Sequence, residues 1–328
     1  MTPILEVRDL SVEFHTRDGV ARAVDRVGLR LEPGEVLAVL GESGSGKSVT
    51  AQAIMGVLHT PPARVTGGEI LYQGRDLLRM SEPQRRRVRG REIGMIFQDA
   101  LSALDPVFSV GFQLSEALRH GSGMSRSAAR ARTAELMDLV RIPDARRRLR
   151  DYPHQLSGGM RQRVMIALAL AQNPKVLIAD EPTTALDVTV RAQIMDLLGD
   201  LRRSLGMAMI LITHDLGVVA GVADRIVIMY AGRTVEQADV YQLYEAPGHP
   251  YTRGLLGSVP RLAARRGPLP AIEGAPPSPM RIPRGCAFHP RCPHATEVCR
   301  STPPPRVPLG AGRYSDCHYA AQVAGGLI

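Results

Sequence analysis

Apolar and polar positions alternate over residues 4–40, the period of half-buried strands, and a turn is predicted at Thr16-Arg17-Asp18-Gly19. Two runs break the alternation by being apolar throughout, VLAVL (36–40) and MAMILI (207–212). Unbroken runs of this length read as strands of a parallel sheet buried on both faces. A Gly-rich loop at 41–48 leads into a helix-like stretch at 49–58. Residues 69–98 read as short strands interrupted by the basic run RRRVRGR (85–91). Residues 112–150, rich in Ala, Leu and Arg, read as helical until Pro153 breaks the pattern. Helix (160–172), strand (175–179), helix (189–204) and strand (207–212) then alternate, which predicts βαβ units. After Pro247 the character changes. The segment from residue 260 holds 13 of the 25 prolines, which predicts a loop-rich tail that does not continue the sheet.

Composition narrows this picture. At 328 residues the chain can bury a sizeable core, as one large or two smaller domains. Aromatics are 4% of it and Trp is absent, so aliphatic side chains must fill that core. The N-terminus runs from Met1 straight into charged, strand-like sequence, and the apolar runs fall far short of the roughly 18 residues of a membrane span. A soluble, cytoplasmic protein is expected, reaching any membrane by docking. The net charge is +9, and almost all cations are Arg; Lys47 and Lys175 are the two lysines. From Pro260 onward nine Arg face three acids. No aromatic residues interleave with this charge, so a solvated face is expected rather than a nucleic-acid or lipid surface.

Lys47 sits in GESGSGKS, residues Gly41, Glu42, Ser43, Gly44, Ser45, Gly46, Lys47 and Ser48. This is G-x-x-x-x-G-K-S between an apolar strand and a helix, the context a phosphate-binding loop requires. Glycines let backbone N–H groups converge on phosphates, and the helix N-terminus adds its positive end. Lys47 reaches the β- and γ-phosphates, and the Ser48 hydroxyl can ligate Mg²⁺. A second element, VLIADEP (176–182), is an apolar strand tipped by two acids. Asp180 at its carboxyl end suits Mg²⁺, and Glu181 suits polarisation of an attacking water. The third is LSGGMRQR (156–163), where Ser157 and the backbone of Gly158 and Gly159 open a helix and offer donors to a phosphate.

With these three elements, residues 4 to about 258 resemble the ATP-binding cassette (ABC) ATPases. The resemblance implies an α/β fold of the P-loop NTPase type. A mostly parallel central sheet is accompanied by an antiparallel β subdomain, a helical insertion at about 100–160, and a tail at 259–328. It implies that the LSGG donors act across a dimer interface on ATP held by a partner's loop. Gln98 in MIFQD matches the Q-loop, which contacts Mg²⁺ and water and links the ATP site to the membrane partner. Ala185-Leu186-Asp187 matches the D-loop, and His214 in LITHD the switch histidine that contacts the γ-phosphate. Phe14 is the candidate for stacking on adenine, with Arg22 as the alternative. The insertion, flanked by basic runs at 85–91 and 146–150, matches the region that docks on transmembrane subunits.

Within the family, GESGSGKSVTAQAIMG, DEPTTALDVTVRAQI and APGHPYTRGLL (246–256) resemble the ATPases of oligopeptide and dipeptide importers. One departure is QDALSALDP after Gln98, where the family usually carries Pro at 100 and Asn at 105. The resemblance implies a subunit that hydrolyses ATP to power peptide uptake. Its partners would be a second, non-identical ATPase subunit, two permease subunits and an extracytoplasmic peptide-binding protein. It would lie at the cytoplasmic face of the inner membrane and would touch neither peptide nor nucleic acid. Other cargo, nickel or a glutathione-like peptide, is the alternative. A nucleic-acid or ribosome ATPase ranks last, for want of a second cassette or sustained heptads.

All four cysteines lie in the tail: Cys286, Cys292, Cys299 and Cys317, spaced C-x5-C-x6-C-x17-C. In a cytoplasmic chain such clustering argues for a metal over disulfides. The gaps are wider than the usual C-x2–4-C of a zinc site. Four thiolates suit a [4Fe–4S] cluster, to which the family resemblance also points. Zn²⁺ is the alternative, with His289, His294 and His318 as substitute ligands.

Overall fold

The computed structural model describes residues 2–99, 103–184, 186–258 and 272–328. The chain forms two compact units: residues 1–78 with 212–328, and residues 79–211.

In the first unit the early alternation becomes two long strands, Leu5–Thr16 and Gly19–Leu31. They pair antiparallel across the predicted turn, where the Thr16 hydroxyl donates to the Gly19 carbonyl at 2.9 Å. Leu5, Val7, Leu10 and Val12 are buried, the period of two slipping by one residue between Val7 and Leu10, where the pairing carries a register shift. Ala63–Tyr72 and Arg75–Asp76 complete a four-stranded antiparallel sheet. The apolar run Val36–Leu40 is a strand with every residue buried, and it pairs parallel with Arg225–Tyr230. Arg233–Asp239 continues that sheet antiparallel.

The tail corrects one expectation. Arg313–Asp316 pairs antiparallel with Arg233–Asp239, through Glu236↔Ser315 and Gln237↔Tyr314, and Arg306–Gly310 pairs beyond it. The tail therefore extends the sheet. Pro308 is tolerated because Arg306–Gly310 is the last strand in the order, where a missing N–H breaks no ladder on the open side. The stretch 259–271, at the expected domain boundary, lies outside the described residues.

In the second unit Ile93–Ile96 and Val176–Asp180 pair parallel, and the largely buried strand Ala208–Ile212 lies next in order. RRRVRGR proves to be helical, inside Glu82–Arg91. Its start is a capping box in which the Ser81 N–H donates to Gln84 Oε1 at 3.0 Å. The helical stretch at 112–150 is three helices, Val110–Ser122, Arg126–Leu139 and Ala145–Arg148. Ser109 and Ser125 cap the first two, and Gly123 ends the first in the left-handed region. Gly158–Leu170 packs against the strand Ile93–Ile96 and against the helix Val188–Leu205. Among the described residues no helix is long and apolar enough to cross a membrane.

Candidate nucleotide site

The loop 41–48 leaves the strand Val36–Leu40 and enters the helix Lys47–Met55. Two of its glycines have no room for a side chain. A Cβ on Gly46 (φ +101°) would lie 2.4 Å from the Ala23 carbonyl oxygen, and one on Gly41 2.2 Å from that of Met229. The loop thus wraps tightly against the neighbouring strands. Lys47 is buried at 5% exposure, and its ammonium donates to the Gly41 carbonyl at 2.8 Å and the Glu42 carbonyl at 2.9 Å. Such a cradle fits a polyphosphate. Ser45 is buried within it, and Ser43 and Gly44 are exposed at its rim. Ser48 occupies the helix's first turn. In the same unit His214 follows the strand Ala208–Ile212, and the adjacent Thr213 N–H donates to the Val39 carbonyl at 3.3 Å. The exposed His214 therefore sits at the carboxyl end of the strand that feeds the loop.

In the second unit Asp180 ends its strand at 3% exposure. Glu181 follows in the left-handed region, φ +47°, a costly conformation for glutamate that turns its side chain away from the strand. Its carboxylate accepts from the Thr184 hydroxyl at 2.8 Å and from Gln98 Nε2 at 3.4 Å. The structure thus brings Gln98, Thr184 and Glu181 together across 83 residues of sequence. Thr184 was not singled out by sequence. Asp180 and Gln98 carry oxygen atoms of the kind Mg²⁺ prefers.

Ser157 caps Gly158–Leu170, its Oγ accepting from the Met160 N–H at 3.3 Å, and it is exposed. Gly159 allows close approach to the next helix, because a Cβ there would meet Val190 Cγ1 at 2.7 Å. That next helix, Val188–Leu205, is capped by Asp187, which accepts from the Val190 N–H at 2.9 Å. The signature glycines and Asp187 therefore share one packed corner. Ala185, beside it, lies outside the described residues, as do residues 100–102 after Gln98. Phe14 lies half-buried in its strand, paired with Ala21 and Ala63. Arg22 pairs with Glu13 at 3.4 Å.

The metal expectation is corrected. Among the described residues no group of three or more His, Cys, Asp or Glu is arranged to hold a metal ion. The four cysteines do line one cavity, but its volume is only about 20 Å³, room for about a water molecule and not a cluster. Burial pushes the Cys286 thiol up to about 11 and that of Cys317 up to about 12. One ring nitrogen of each of two tail histidines is engaged, His289 Nδ1 lying 3.0 Å from the Cys286 carbonyl and His318 Nε2 3.0 Å from that of Thr302. Neither the [4Fe–4S] cluster nor the zinc alternative on Cys286, Cys292, Cys299 and Cys317 is supported.

Residues 24–184 match the ABC transporter family model, and residues 235–299 match that of the oligopeptide/dipeptide transporter C-terminal region. The chain is 51% identical over 314 residues to the oligopeptide transport ATP-binding protein OppD of Salmonella typhimurium, covering 96% of this chain and 93% of that one. This chain belongs to the ABC ATPases of the oligopeptide/dipeptide transporter family. The dipeptide transport ATP-binding protein DppD of Escherichia coli is 48% identical over 322 residues, 98% of either chain. Among solved structures, the dimeric ATP-binding cassette MJ0796 bound to ADP and Pi superposes with a TM-score of 0.65 at 28% identity. That alignment covers 72% of this chain and 98% of the other. The ABC fold expected from the phosphate loop and signature is thereby shown, and with it the ATPase activity of the family.

Sequence reasoning passed over one surface of this ABC ATPase. Val107 (69% exposed), Phe108 and Phe112 stand out on the insertion, the two rings stacked at 4.8 Å. Gln113 secures the loop beneath them, donating to the Asp105 and Phe108 carbonyls at 2.9 and 3.0 Å. In a chain with five Phe, two exposed on one turn is the signal that could have found it.

Proposed function

We propose that this chain powers peptide import, hydrolysing ATP on behalf of two permease subunits fed by an extracytoplasmic peptide-binding protein. The observation that carries this reading is likeness along nearly the whole chain, C-terminal region included, to proteins named for oligopeptide and dipeptide transport. Residues 1–258 form the ATPase domain, with its helical insertion at about 100–160, and residues 259–328 the transporter tail. The subunit pairs with a second, non-identical ATPase, and two ATP molecules lie between the loop of one and the signature of the other. It works at the cytoplasmic face of the inner membrane. Val107, Phe108 and Phe112 form the apolar contact to the permease.

Gly41 to Ser48 wrap the β- and γ-phosphates, Lys47 neutralising their charge. Phe14 stacks on the adenine. Ser157, Gly158 and Gly159 donate to the γ-phosphate of the partner's ATP, and Asp187 fixes the corner they share. Ser48, Asp180 and Gln98 hold Mg²⁺, which supplies charge neutralisation for the transferred phosphoryl group. Glu181 accepts a proton from water as the water oxygen bonds to the γ-phosphorus. The bond from that phosphorus to the β–γ bridging oxygen breaks, releasing ADP and inorganic phosphate. His214 donates to the γ-phosphate and Gln98 orients the water.

The test is uptake of a labelled dipeptide and a labelled longer peptide by cells carrying or lacking the gene, with Ni²⁺ uptake measured alongside. Loss of peptide uptake, restored by the wild-type chain and not by Lys47→Ala, supports the reading. Loss confined to Ni²⁺ overturns the cargo.

A further inference from the structure

Glu42 occupies a variable position of the phosphate loop, and every polar group it owns is engaged. Its carbonyl accepts from Lys47 Nζ at 2.9 Å. Its N–H donates to the Tyr251 hydroxyl at 2.8 Å. Its carboxylate accepts a two-pronged pair from Arg291, Nη1 to Oε2 at 2.6 Å and Nη2 to Oε1 at 3.0 Å. Arg291 comes from the tail, between Cys286 and Cys292, 249 residues from its partner. We propose that Arg291 and Tyr251 are positioning residues of the nucleotide site, and that Arg291 also cancels the charge of a carboxylate set where phosphates must bind. This rests on the loop's being the ATP site, as the ABC family assignment has it.

Three observations converge on it. First, the guanidinium is fixed from all sides. Its side chain is 5% exposed, and it donates to the Glu273 carbonyl at 3.0 Å and the Tyr230 hydroxyl at 3.3 Å. A fork so held gives bidentate geometry at little further entropy cost. Second, the chain spends scarce aromatics here. Of five Phe and eight Tyr, Tyr230, Tyr251 and Phe288 pack together, with ring centroids 4.6 to 5.4 Å apart. The buried His249 orients the helix Pro250–Gly257, its Nδ1 accepting from the Tyr251 N–H at 3.0 Å. The APGHPYTRGLL stretch thus has a use: it delivers the Tyr251 hydroxyl to the loop. Third, the electrostatics demand a partner. An unpaired carboxylate within the loop repels the phosphates the loop is built to hold.

Charge cancellation gives a signature that packing alone does not. Removing the arginine should weaken nucleotide binding, and removing the exposed carboxylate in addition should restore it. The measurement is binding of Mg²⁺·mant-ATP to the full chain by fluorescence, at several salt concentrations. Wild type and Lys47→Ala, run alongside, establish the loop as the ATP site independently of Arg291. Arg291→Met should raise Kd about tenfold, the size usual for coupled contacting groups, and high salt should shrink the effect. Arg291→Lys, which keeps the charge and the fold but not the fork, should fall between. Arg291→Met with Glu42→Gln should return Kd to within about threefold of wild type. Unchanged affinity in Arg291→Met, or a loss that the double variant does not relieve, overturns the proposal.

Discussion

Glu181→Gln isolates one proton acceptor from everything around it. Glutamine keeps the shape of the side chain and an oxygen to accept from the Thr184 hydroxyl, now 2.8 Å from the carboxylate. It has the same tolerance of the left-handed backbone at φ +47°. Glu181 is only half-buried, so loss of its charge relieves little desolvation. The expected change in stability is therefore within about 0.5 kcal/mol. Loss of the proton acceptor should cost about 10²- to 10⁴-fold in kcat, which is about 3–5 kcal/mol on the barrier. Urea denaturation reads the stability, phosphate release at saturating ATP reads kcat, and mant-ATP binding checks that the site is intact. A kcat within about threefold of wild type refutes the assignment of Glu181. A large stability loss with it refutes the account of the local geometry.

Phe288→Ala removes a ring at 3% exposure from contact with Tyr230, Tyr251 and His249, and should destabilise the first unit by about 3–5 kcal/mol, read by urea denaturation. Burial lowers His249 from 6.5 to about 3, so the folded state keeps it neutral where the unfolded chain takes a proton. Its contribution is full above pH 6.5 and falls as pH drops towards 3, so His249→Gln should flatten the acid side of a plot of urea midpoint against pH. Glu236, raised by burial, works in the opposite sense, its contribution being lost as pH rises above its unfolded value of 4.5. Phe108→Ser, at an exposed ring, should change stability by less than about 0.5 kcal/mol while abolishing peptide uptake.

The phosphate loop, the acid-tipped strand and the signature were legible because each is contiguous, and its chemistry depends on spacing within about ten residues. The helix Glu82–Arg91 was misread although Ser81 and Gln84 spell its capping box, because charge dominated the pattern. The tail's strands were hidden by proline content, which argues against a central strand and says nothing against an outermost one. Arg291 was invisible in principle: its meaning lies in Glu42, and nothing local to either residue names the other. The cysteines misled for the converse reason. Four thiols close in sequence do converge, yet burial around a cavity of about 20 Å³ leaves them a small packed cluster.

The order of synthesis now matters. The loop emerges early, but Arg291 follows Glu42 by 249 residues, and the strand Arg313–Asp316 comes later still. At the usual rate of chain elongation that interval is roughly 10–50 s. During it the edge of Arg233–Asp239 stands unpaired once made, and the loop lacks its counter-charge. A nascent chain can therefore fold most of its first unit and still be unfinished as a nucleotide binder. Maturation of the ATP site becomes a late event, and a ribosome stalled within the tail would leave a sticky sheet edge for chaperones to cover.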